Sequence, residues 1–329
     1  MKRFIKLIII IFCLSPTLSF AGMATLSDRA EVRQFIQTMV NQYNFNGPQL
    51  VNIFKQVKIR NDILGLMRKP KEASPWYRYQ QFFITDKRIN DGVKFWNQHD
   101  KTLVIAEKNY GVPASIIVAI IGVETHYGQS QGKYRVIDAL STLAFNYPPR
   151  AKFFKQELAQ YFLLAREQNF NPFSVMGSYA GAIGVPQFMP SSYRNYAVSS
   201  QGNHKIDLAN NTNDAIISIA NYFKKYGWQN GQPIIVPAKI TSNRAHRYIT
   251  NSMQAKFNWG QLANNGVRID KPVASKQKVS LIQLQGPHGY QYYVAFNNFY
   301  VITRYNNSLN YALAVYELGQ RIQARRNYH

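Results

Sequence analysis

The sequence contains almost no cysteine, since Cys13 is the only one among 329 residues. A single thiol cannot form an internal disulfide, so stability has to come from a sizeable core. Acidic side chains are also scarce: 16 Asp and Glu stand against 39 Lys and Arg, and the formal net charge is +23. This charge favours an anionic partner, a class that includes nucleic acid, an acidic membrane surface and a cell-wall polymer.

Apolar runs long enough to span a bilayer are lacking too, and the run nearest the N-terminus is Leu7–Leu14. This run is too short to span a bilayer, and the basic segment Lys2–Lys6 precedes it, as in a secretory signal. Ser19–Ala21 suits a cleavage site. We therefore expect residues 1–21 to be removed as a signal peptide, which leaves a mature chain without cysteine and with a charge of +20. Thiol catalysis and zinc–thiolate sites are then excluded.

Two alternatives to a cleaved signal remain: an uncleaved membrane anchor, and a lipoprotein modified at Cys13. Phe12 occupies the position where a lipobox has Gly or Ala. We therefore expect a periplasmic protein without a lipid anchor.

The stretch Ile116–Gly128 carries the strongest structural signal. Eight uncharged, mostly aliphatic residues run into Glu124; Pro113 suits the first turn of a helix and Gly128 suits its end. A helix that is apolar on all sides is buried, so Glu124 is expected near the C-terminal end of a core helix. Desolvation and the helix dipole both raise the pKa of a carboxyl there, which suits a general acid. The alternative is a structural glutamate, buried with an Arg or a backbone donor.

Hydrophobic spacing predicts further elements on both sides of this stretch. The predicted helices lie within 27–68, with a break at Gly47-Pro48 before a second segment Leu50–Met67, and at 91–108, 136–145, 151–168 and 309–321. Strand-like segments occupy 233–237, 279–284 and 290–296, with Gly286 and Gly289 marking a turn between the last two.

Two other segments favour a binding surface. Gly177–Tyr193 combines three closely spaced glycines with Gln187, the lone amide among apolar neighbours, and its alternative interpretation is tight helix packing. Trp76–Tyr79 is aromatic and basic. Ordinary packing beside a loop is the simpler interpretation of this cluster, and an edge that stacks on sugars is the alternative.

Several of these strings together resemble one family. They are Gly122–Thr125, Ile137–Pro148, Gly177–Tyr193, Ile219–Phe223 and Asn298–Asn306. In order and length they resemble the B-type lytic murein transglycosylases of glycoside hydrolase family 103, most clearly from Pro75 to Gln320. The resemblance implies a mainly α (α+β) fold, with a lysozyme-like helical core, an N-terminal helical region and a small inserted β domain.

The expected organisation follows from this resemblance and from the strand-like segments. It comprises a signal peptide (1–21), an N-terminal helical region (22–110), a lysozyme-like catalytic core (111–230), a small β domain (231–297) and a C-terminal segment that returns to the core (298–329).

The resemblance also implies a site. Glu124 corresponds to the catalytic residue, and the residues expected at the glycan-binding cleft are Tyr79, Arg150, Ser178, Gln187, Tyr222, Tyr305, Asn306 and Tyr311. The family carries two arginines after its Tyr-Pro; here Pro149 takes the first position, so only Arg150 carries over. The family's calcium loop corresponds to Ser199–Asp207, whose early positions lack carboxylates, so we expect no metal site and no cofactor.

The implied activity is that of a lytic transglycosylase acting on peptidoglycan glycan strands. One glutamate first protonates the bond between N-acetylmuramic acid and N-acetylglucosamine, and then deprotonates the muramyl C6 hydroxyl to form a 1,6-anhydro end. Ordinary glycosidases use two carboxylates. No second acid stands out near Glu124 in sequence, and Asp138 is expected to cap a helix.

Other functions are kept as alternatives. A hydrolytic muramidase would leave a reducing end, and a non-catalytic peptidoglycan-binding scaffold would not need Glu124. Nucleic-acid binding is disfavoured by the predicted export and by the lack of a nucleic-acid motif. We expect a monomer, with other cell-wall enzymes as candidate partners.

The first prediction concerns export. The mature protein is expected to begin near Gly22 and to stay in the soluble periplasmic fraction, because the apolar run is short and Cys13 lies in an unsuitable lipobox. N-terminal sequencing and mass measurement of the purified protein test this. An intact Met1, or a lipid on Cys13, would contradict it.

Overall fold

The computed structural model describes residues 25–68, 74–202, 205–250 and 252–328. The predicted signal peptide lies outside these residues. The chain divides into two compact units, one up to Val57 and the other from Lys58 onward. The domain boundaries expected from the sequence are finer than this division and remain a prediction.

The described part of the first unit, residues 25–57, contains two α-helices, α1 (Ala30–Tyr43) and α2 (Gly47–Gln56). Phe35 of α1 and Phe54 of α2 meet edge to face, with ring centroids 5.9 Å apart. The predicted break between two helical segments is present, but it lies at residues 44–46, and Gly47-Pro48 forms the first turn of α2. Asn46 caps this helix, since its Oδ1 accepts from Gln49 N at 2.9 Å. Proline is tolerated here because the first turn of a helix leaves its N–H groups unpaired.

Within its described residues the second unit contains eleven more helices: α3 (Asn61–Leu66), α4 (Trp76–Phe83), α5 (Asp86–Tyr110), α6 (Ala114–Thr125), α7 (Val136–Asn146), α8 (Ala151–Glu167), α9 (Pro190–Tyr196), α10 (Thr212–Lys225), α11 (Trp259–Asn264), α12 (Asn297–Thr303) and α13 (Leu309–Asn327). The helices predicted around the Glu124 stretch, at 136–145, at 151–168 and at 309–321 are confirmed. The helix predicted at 91–108 begins earlier, because Thr85 caps α5 by accepting from Arg88 N at 3.2 Å.

The segment Leu50–Met67, predicted as one helix, is broken in the structure. Residues 57–60 between α2 and α3 are not helical. In this stretch Lys58 N donates to Asp138 Oδ1 and Arg60 N donates to Thr142 Oγ1, both at 2.9 Å. These bonds to α7 satisfy backbone groups that a helix would otherwise pair internally.

Seven strands complete the described fold: β1 (Tyr134–Arg135), β2 (Met176–Gly177), β3 (Ile235–Ile240), β4 (Phe257–Asn258), β5 (Val267–Arg268), β6 (Lys278–Gly286) and β7 (Gly289–Ala295). Strands β1 and β2 form a short antiparallel pair, and the others form one antiparallel sheet in the order β4-β6-β7-β3-β5. The predicted turn joins β6 to β7, with Gly286 opposite Gly289. Gly289 has a φ of 126°, which favours glycine.

The sheet has its own apolar core, made of Ala245, Leu262, Val267, Val279, Leu281, Val294 and Phe296. Asn298 fixes the chain where it leaves the sheet. Its side chain accepts from Gln229 N at 2.8 Å and donates to the carbonyls of Gln229 and Gln232 at 2.8 and 3.0 Å. One buried amide therefore holds together the entry to and the exit from the β region. The predicted mainly α fold with a small β region is confirmed.

Helix α6 forms the centre of the larger unit. Ile116 to Ile121 are each 0% exposed, as the all-apolar sequence predicts. Among the described residues, no single helix is long and apolar enough to cross a membrane; α5 and α6 meet both criteria only when taken together, and they are bent by 116°.

The loop expected to replace the family's calcium site is organised around Asp214 of α10. This carboxylate is 1% exposed. Its Oδ1 accepts from Ser200 N and Ser200 Oγ at 2.8 and 2.6 Å, and its Oδ2 accepts from Asp207 N at 3.0 Å. Protein donors therefore satisfy both carboxylate oxygens.

The second prediction is that calcium does not stabilise the protein. A site with a dissociation constant of 10 µM would add about 2.7 kcal/mol at 1 mM calcium, or roughly 5–10 °C in Tm. We expect no such difference between 1 mM calcium and excess chelator. Asp214→Asn should lower the Tm equally in both conditions, because it weakens charge-assisted bonds to the loop. A calcium-dependent rise in Tm that Asp214→Asn abolishes would contradict the prediction.

Candidate active site

Glu124 is the penultimate residue of α6 and is half-buried. The helix ends at Thr125, three residues before the predicted stop at Gly128. His126 and Tyr127 take the left-handed conformation, with φ of 50° and 62°. Their amides donate to the carbonyls of Gly122 and Ile121, both at 3.2 Å. This is an αL-type helix end with histidine in place of the usual glycine, so the chain reverses immediately after Glu124.

Two side chains from outside the turn fix this end of α6. Arg88 of α5 donates to the carbonyl of Gly122. Thr125 Oγ1 donates to Val185 O at 2.9 Å, which ties the helix end to the glycine-rich Gly177–Tyr193 segment. Neither contact was anticipated from the sequence, although Thr125 belongs to the string that carried the family resemblance.

Helix α13 brings the group that contacts the carboxyl directly. Tyr311 Oη donates to Glu124 Oε1 at 2.6 Å. The two helices lie close because Gly319 has no Cβ; one built there would be 2.8 Å from Ser115 O of α6. Ser115 to Glu124 and Gly319 to Tyr311 are similar separations along a helix, about 13 Å each at 1.5 Å per residue. The two contacts are therefore in register along an antiparallel helix pair.

Tyr311 is a neutral hydrogen-bond donor at neutral pH. Burial, and then the charge of Glu124, raise the pKa of Tyr311 well above its ordinary value. Burial raises the pKa of Tyr305 in the same way. The two rings are parallel within 13°, with centroids 6.5 Å apart.

Further aromatic rings pack around Tyr305. Its ring centroid is 5.0 Å from that of Tyr222 and 5.8 Å from that of Phe188. Tyr305 Oη donates to Pro186 O, and Tyr222 Oη donates to Arg304 O. The structure therefore joins three of the predicted residues, Tyr222, Tyr305 and Tyr311, to Glu124 through one aromatic cluster, and Phe188 is an additional member that the sequence analysis did not single out.

The glycine-rich segment holds Ser178 and Gln187 in fixed conformations. Ser178 Oγ accepts from Ala182 N at 3.0 Å. Gln187 has a φ of 50°, and its Nε2 donates to Gln131 O and to Gly184 O at 3.0 and 2.9 Å. Both amide hydrogens are used within the protein. Among the described residues, Gln187 Oε1 has no hydrogen-bond donor, so it is the atom of this side chain that remains to bind a ligand.

The other predicted residues differ in exposure. Tyr79 of α4 is 1% exposed and lies close enough to Tyr311 to contribute to its raised pKa. Arg150 is exposed at the start of α8, with its guanidinium 4.5 Å from the ring centroid of Phe153. Asn306 is half-buried directly after Tyr305. The structure does not bring Arg150 to the aromatic cluster, and contact of these residues with glycan remains a prediction.

The buried acids outside the site have structural partners. Asp138 binds Arg135 Nε at 2.7 Å and the amide of Lys58, so it joins segments of the fold rather than capping α7 as predicted. Glu157 accepts from Ser191 N at 2.9 Å and from Ser191 Oγ at 2.6 Å, and burial raises its pKa. Among the described residues, no group of three or more His, Cys, Asp or Glu is arranged to hold a metal ion.

Comparison with known proteins places this geometry in a family. The model of the transglycosylase SLT domain matches residues 27–320. The chain is 42% identical over 326 residues to the membrane-bound lytic murein transglycosylase B of Escherichia coli, covering 96% of this chain and 89% of the relative.

Solved structures of lytic transglycosylases are also similar to this chain. Catenated SltB1 from Pseudomonas aeruginosa is 46% identical, with a TM-score of 0.87 over 91% of this chain and 99% of its own. SltB3 from the same organism, in complex with NAG-anhNAM-pentapeptide, is 27% identical, with a TM-score of 0.78 over 89% and 79%. The resemblance seen in the sequence is thereby confirmed: the chain belongs to the SLT family of lytic transglycosylases.

Proposed function

We propose that this lytic transglycosylase cleaves the β-1,4 bond between N-acetylmuramic acid and N-acetylglucosamine with Glu124 as its only acid and base. The observation that carries the proposal is the hydrogen bond from Tyr311 Oη to Glu124 Oε1 at the end of a helix that is otherwise almost entirely buried. The relative SltB3, in complex with NAG-anhNAM-pentapeptide, supports peptidoglycan as the substrate class.

Tyr311 defines which carboxyl oxygen carries the proton. Since Oε1 accepts the phenol's hydrogen, the proton of a neutral Glu124 resides on Oε2. Oε2 then protonates the glycosidic oxygen as the bond to muramyl C1 breaks. The substrate's acetamido group supports the cation that develops at C1, so a second protein carboxylate is not needed at this stage.

The same oxygen completes the reaction as a base. Glu124, now a carboxylate, takes the proton of the muramyl C6 hydroxyl while the C6 oxygen bonds to C1. The products are a 1,6-anhydro-muramyl end and a free N-acetylglucosamine 4-hydroxyl, and Glu124 is protonated again. No water is consumed, whereas the hydrolytic alternative would leave a reducing end.

The surrounding residues are assigned to substrate binding. Gln187 Oε1 is suited to accept from an N-acetyl N–H or a sugar hydroxyl, because its Nε2 is held by two carbonyls. Arg150, exposed and cationic, is suited to the carboxylates of the polymer. Tyr222 and Tyr305 hold the floor of the cleft through their aromatic contacts.

We also propose that the mature protein acts in the periplasm, as a monomer and without a lipid. The E. coli relative is named as membrane-bound. Phe12 before Cys13 distinguishes this chain from a typical lipoprotein precursor.

The third prediction concerns Glu124→Gln. The variant keeps the volume and an acceptor for Tyr311 but cannot transfer a proton, and loss of general acid catalysis costs about 10²–10⁴-fold. Because one group serves both steps, we expect a loss near the upper end of this range, with folding and binding to peptidoglycan preserved. Release of anhydro-muropeptides from purified sacculi, measured by mass spectrometry, gives the rate and identifies the product.

Glu157→Gln is the matched control, since it removes another buried carboxyl with two hydrogen bonds. It should lower the Tm and leave the rate within about threefold of wild type. A folded Glu124→Gln variant with more than about a tenth of the wild-type rate would exclude the acid role. Reducing rather than anhydro ends from the wild type would support the muramidase alternative.

The fourth prediction concerns Tyr311→Phe, which removes only the hydroxyl that orients Glu124. We expect kcat to fall about 10- to 100-fold with little change in KM, because a lost orienting bond affects the transition state more than binding. Tyr161→Phe is the control: it removes a buried phenol that donates to Pro172 O at 2.7 Å, outside the site. Equal activity losses in the two variants would show that Tyr311 acts through stability alone.

A further inference from the structure

The β region has an unusual charge. Residues 231–297 contain eight Lys or Arg and a single acid, Asp270, which gives a formal charge of +7. The other 262 residues contain 15 acids. Lys and Arg are about as frequent here as in the rest of the chain, so the net charge arises from the shortage of acids. The mechanism at Glu124 makes no use of this net positive charge.

Part of this charge lines a groove at the β3–β5 side of the sheet. The groove has a volume of about 420 Å³, and its walls include Lys239, Arg268, Asp270, Tyr290 and Tyr293. None of these residues belongs to the cluster around Glu124. The groove is therefore a site on the sheet, distinct from the candidate active site.

Strand register places the two cations side by side. Lys239 of β3 is paired directly with Arg268 of β5, so their side chains leave the same face of the sheet. Both are exposed. Like charges directly opposite one another destabilise a sheet, and in the described residues no acid lies within 4 Å of either cation. Arg268 Nη1 donates to the carbonyls of Ala263 and Val267, but these neutral acceptors leave both charges in place, and an anionic ligand would relieve the repulsion.

Aromatic side chains also line the groove. Tyr293 is paired with Pro237, two residues before Lys239 on the same face of β3. Tyr290, three residues before Tyr293 on β7, alternates to the other face of the sheet, but it lies at the hairpin end, borders the groove there and is 62% exposed. Aromatic faces pack against the apolar faces of sugars, and paired cations suit carboxylates.

We propose that this groove is a second peptidoglycan-binding site, which holds the polymer away from Glu124 while the cleft cleaves it. Tyr290 stacks on a sugar ring, and Lys239 and Arg268 bind carboxylates of the stem peptides. This rests on the proposed function for the substrate class, but it concerns binding alone and does not require Glu124 to be the acid. A groove of this kind anchors long or cross-linked polymer and contributes little with fragments too short to reach it.

The test measures cosedimentation with purified sacculi in the Glu124→Gln background, so that the polymer stays intact. The variant Lys239→Gln/Arg268→Gln is compared with Lys276→Gln/Lys278→Gln, which removes the same charge from exposed positions toward the β4–β6 side. We expect about tenfold weaker binding for the groove variant, equivalent to about 1.4 kcal/mol, and less than twofold for the control. The difference should shrink in 0.5 M salt.

Tyr290→Ala tests the stacking contact without changing charge. Its control is Tyr328→Ala, an equally simple truncation of a tyrosine that is 89% exposed near the end of α13. We expect a severalfold loss of sacculus binding for Tyr290→Ala only. When the groove substitutions are made in the active enzyme, with Glu124 unchanged, activity on sacculi should fall by about fivefold or more relative to activity on a soluble muroglycan fragment.

Three outcomes would overturn the proposal. The groove variant and the lysine control could weaken binding equally, which would make the effect one of net charge. Alternatively, neither the groove variant nor the lysine control would bind sacculi more weakly than the parent Glu124→Gln protein does. The groove variant could lose binding to heparin as strongly as to sacculi, which would indicate a general polyanion site. A failure of the proposed function would appear differently, as the absence of anhydro products from the wild type.

Discussion

The C-terminal end of an almost completely buried helix is the constraint on which the rest of the site depends. Helix α6 is surrounded by apolar side chains, yet its last carbonyls need hydrogen-bond donors, and the chain that follows it has to leave the core. The amides of His126 and Tyr127, together with Arg88, supply donors to the carbonyls of Ile121 and Gly122. Glu124 is therefore held where the apolar interior ends, and the left-handed reversal after it leaves the carboxyl half-buried rather than enclosed.

The second requirement is that distant parts of the chain reach this helix end. Tyr311 is 187 residues from Glu124 in sequence, and the β region lies between them. Asn298 bonds to the backbone at Gln229 and Gln232, so the insertion begins and ends at the same place. Helices α12 and α13 therefore rejoin the helical core at the point where the chain left it. Gly319 then lets α13 approach α6 closely enough for the phenol of Tyr311 to reach the carboxyl of Glu124.

Sequence patterns predicted what is encoded locally and missed what depends on partners. The apolar run of α6 and the Gly286–Gly289 hairpin were predicted correctly, because a helix buried on all sides requires apolar residues and a positive φ favours glycine. Gly47-Pro48 was misinterpreted, since the same dipeptide can stop one helix or start the next. Arg88 and Phe188 left no periodic signal, and Tyr305 and Tyr311 came only from the family resemblance, because their roles depend on contacts across more than a hundred residues.

The scarcity of acids bears on the chemistry itself. Asp138 is paired with Arg135, Glu157 with Ser191, and Asp214 with a loop of amide and hydroxyl donors, so these buried carboxylates are committed to holding the fold. Glu124 accepts a hydrogen bond from the phenol of Tyr311, whose pKa is raised by burial. A neutral donor can remain bonded whether the carboxyl is protonated or ionised, whereas a paired cation would favour the ionised form alone. A mechanism in which one carboxyl alternates between acid and base needs such a partner, and a chain with so few acids has little scope for the two-carboxylate alternative.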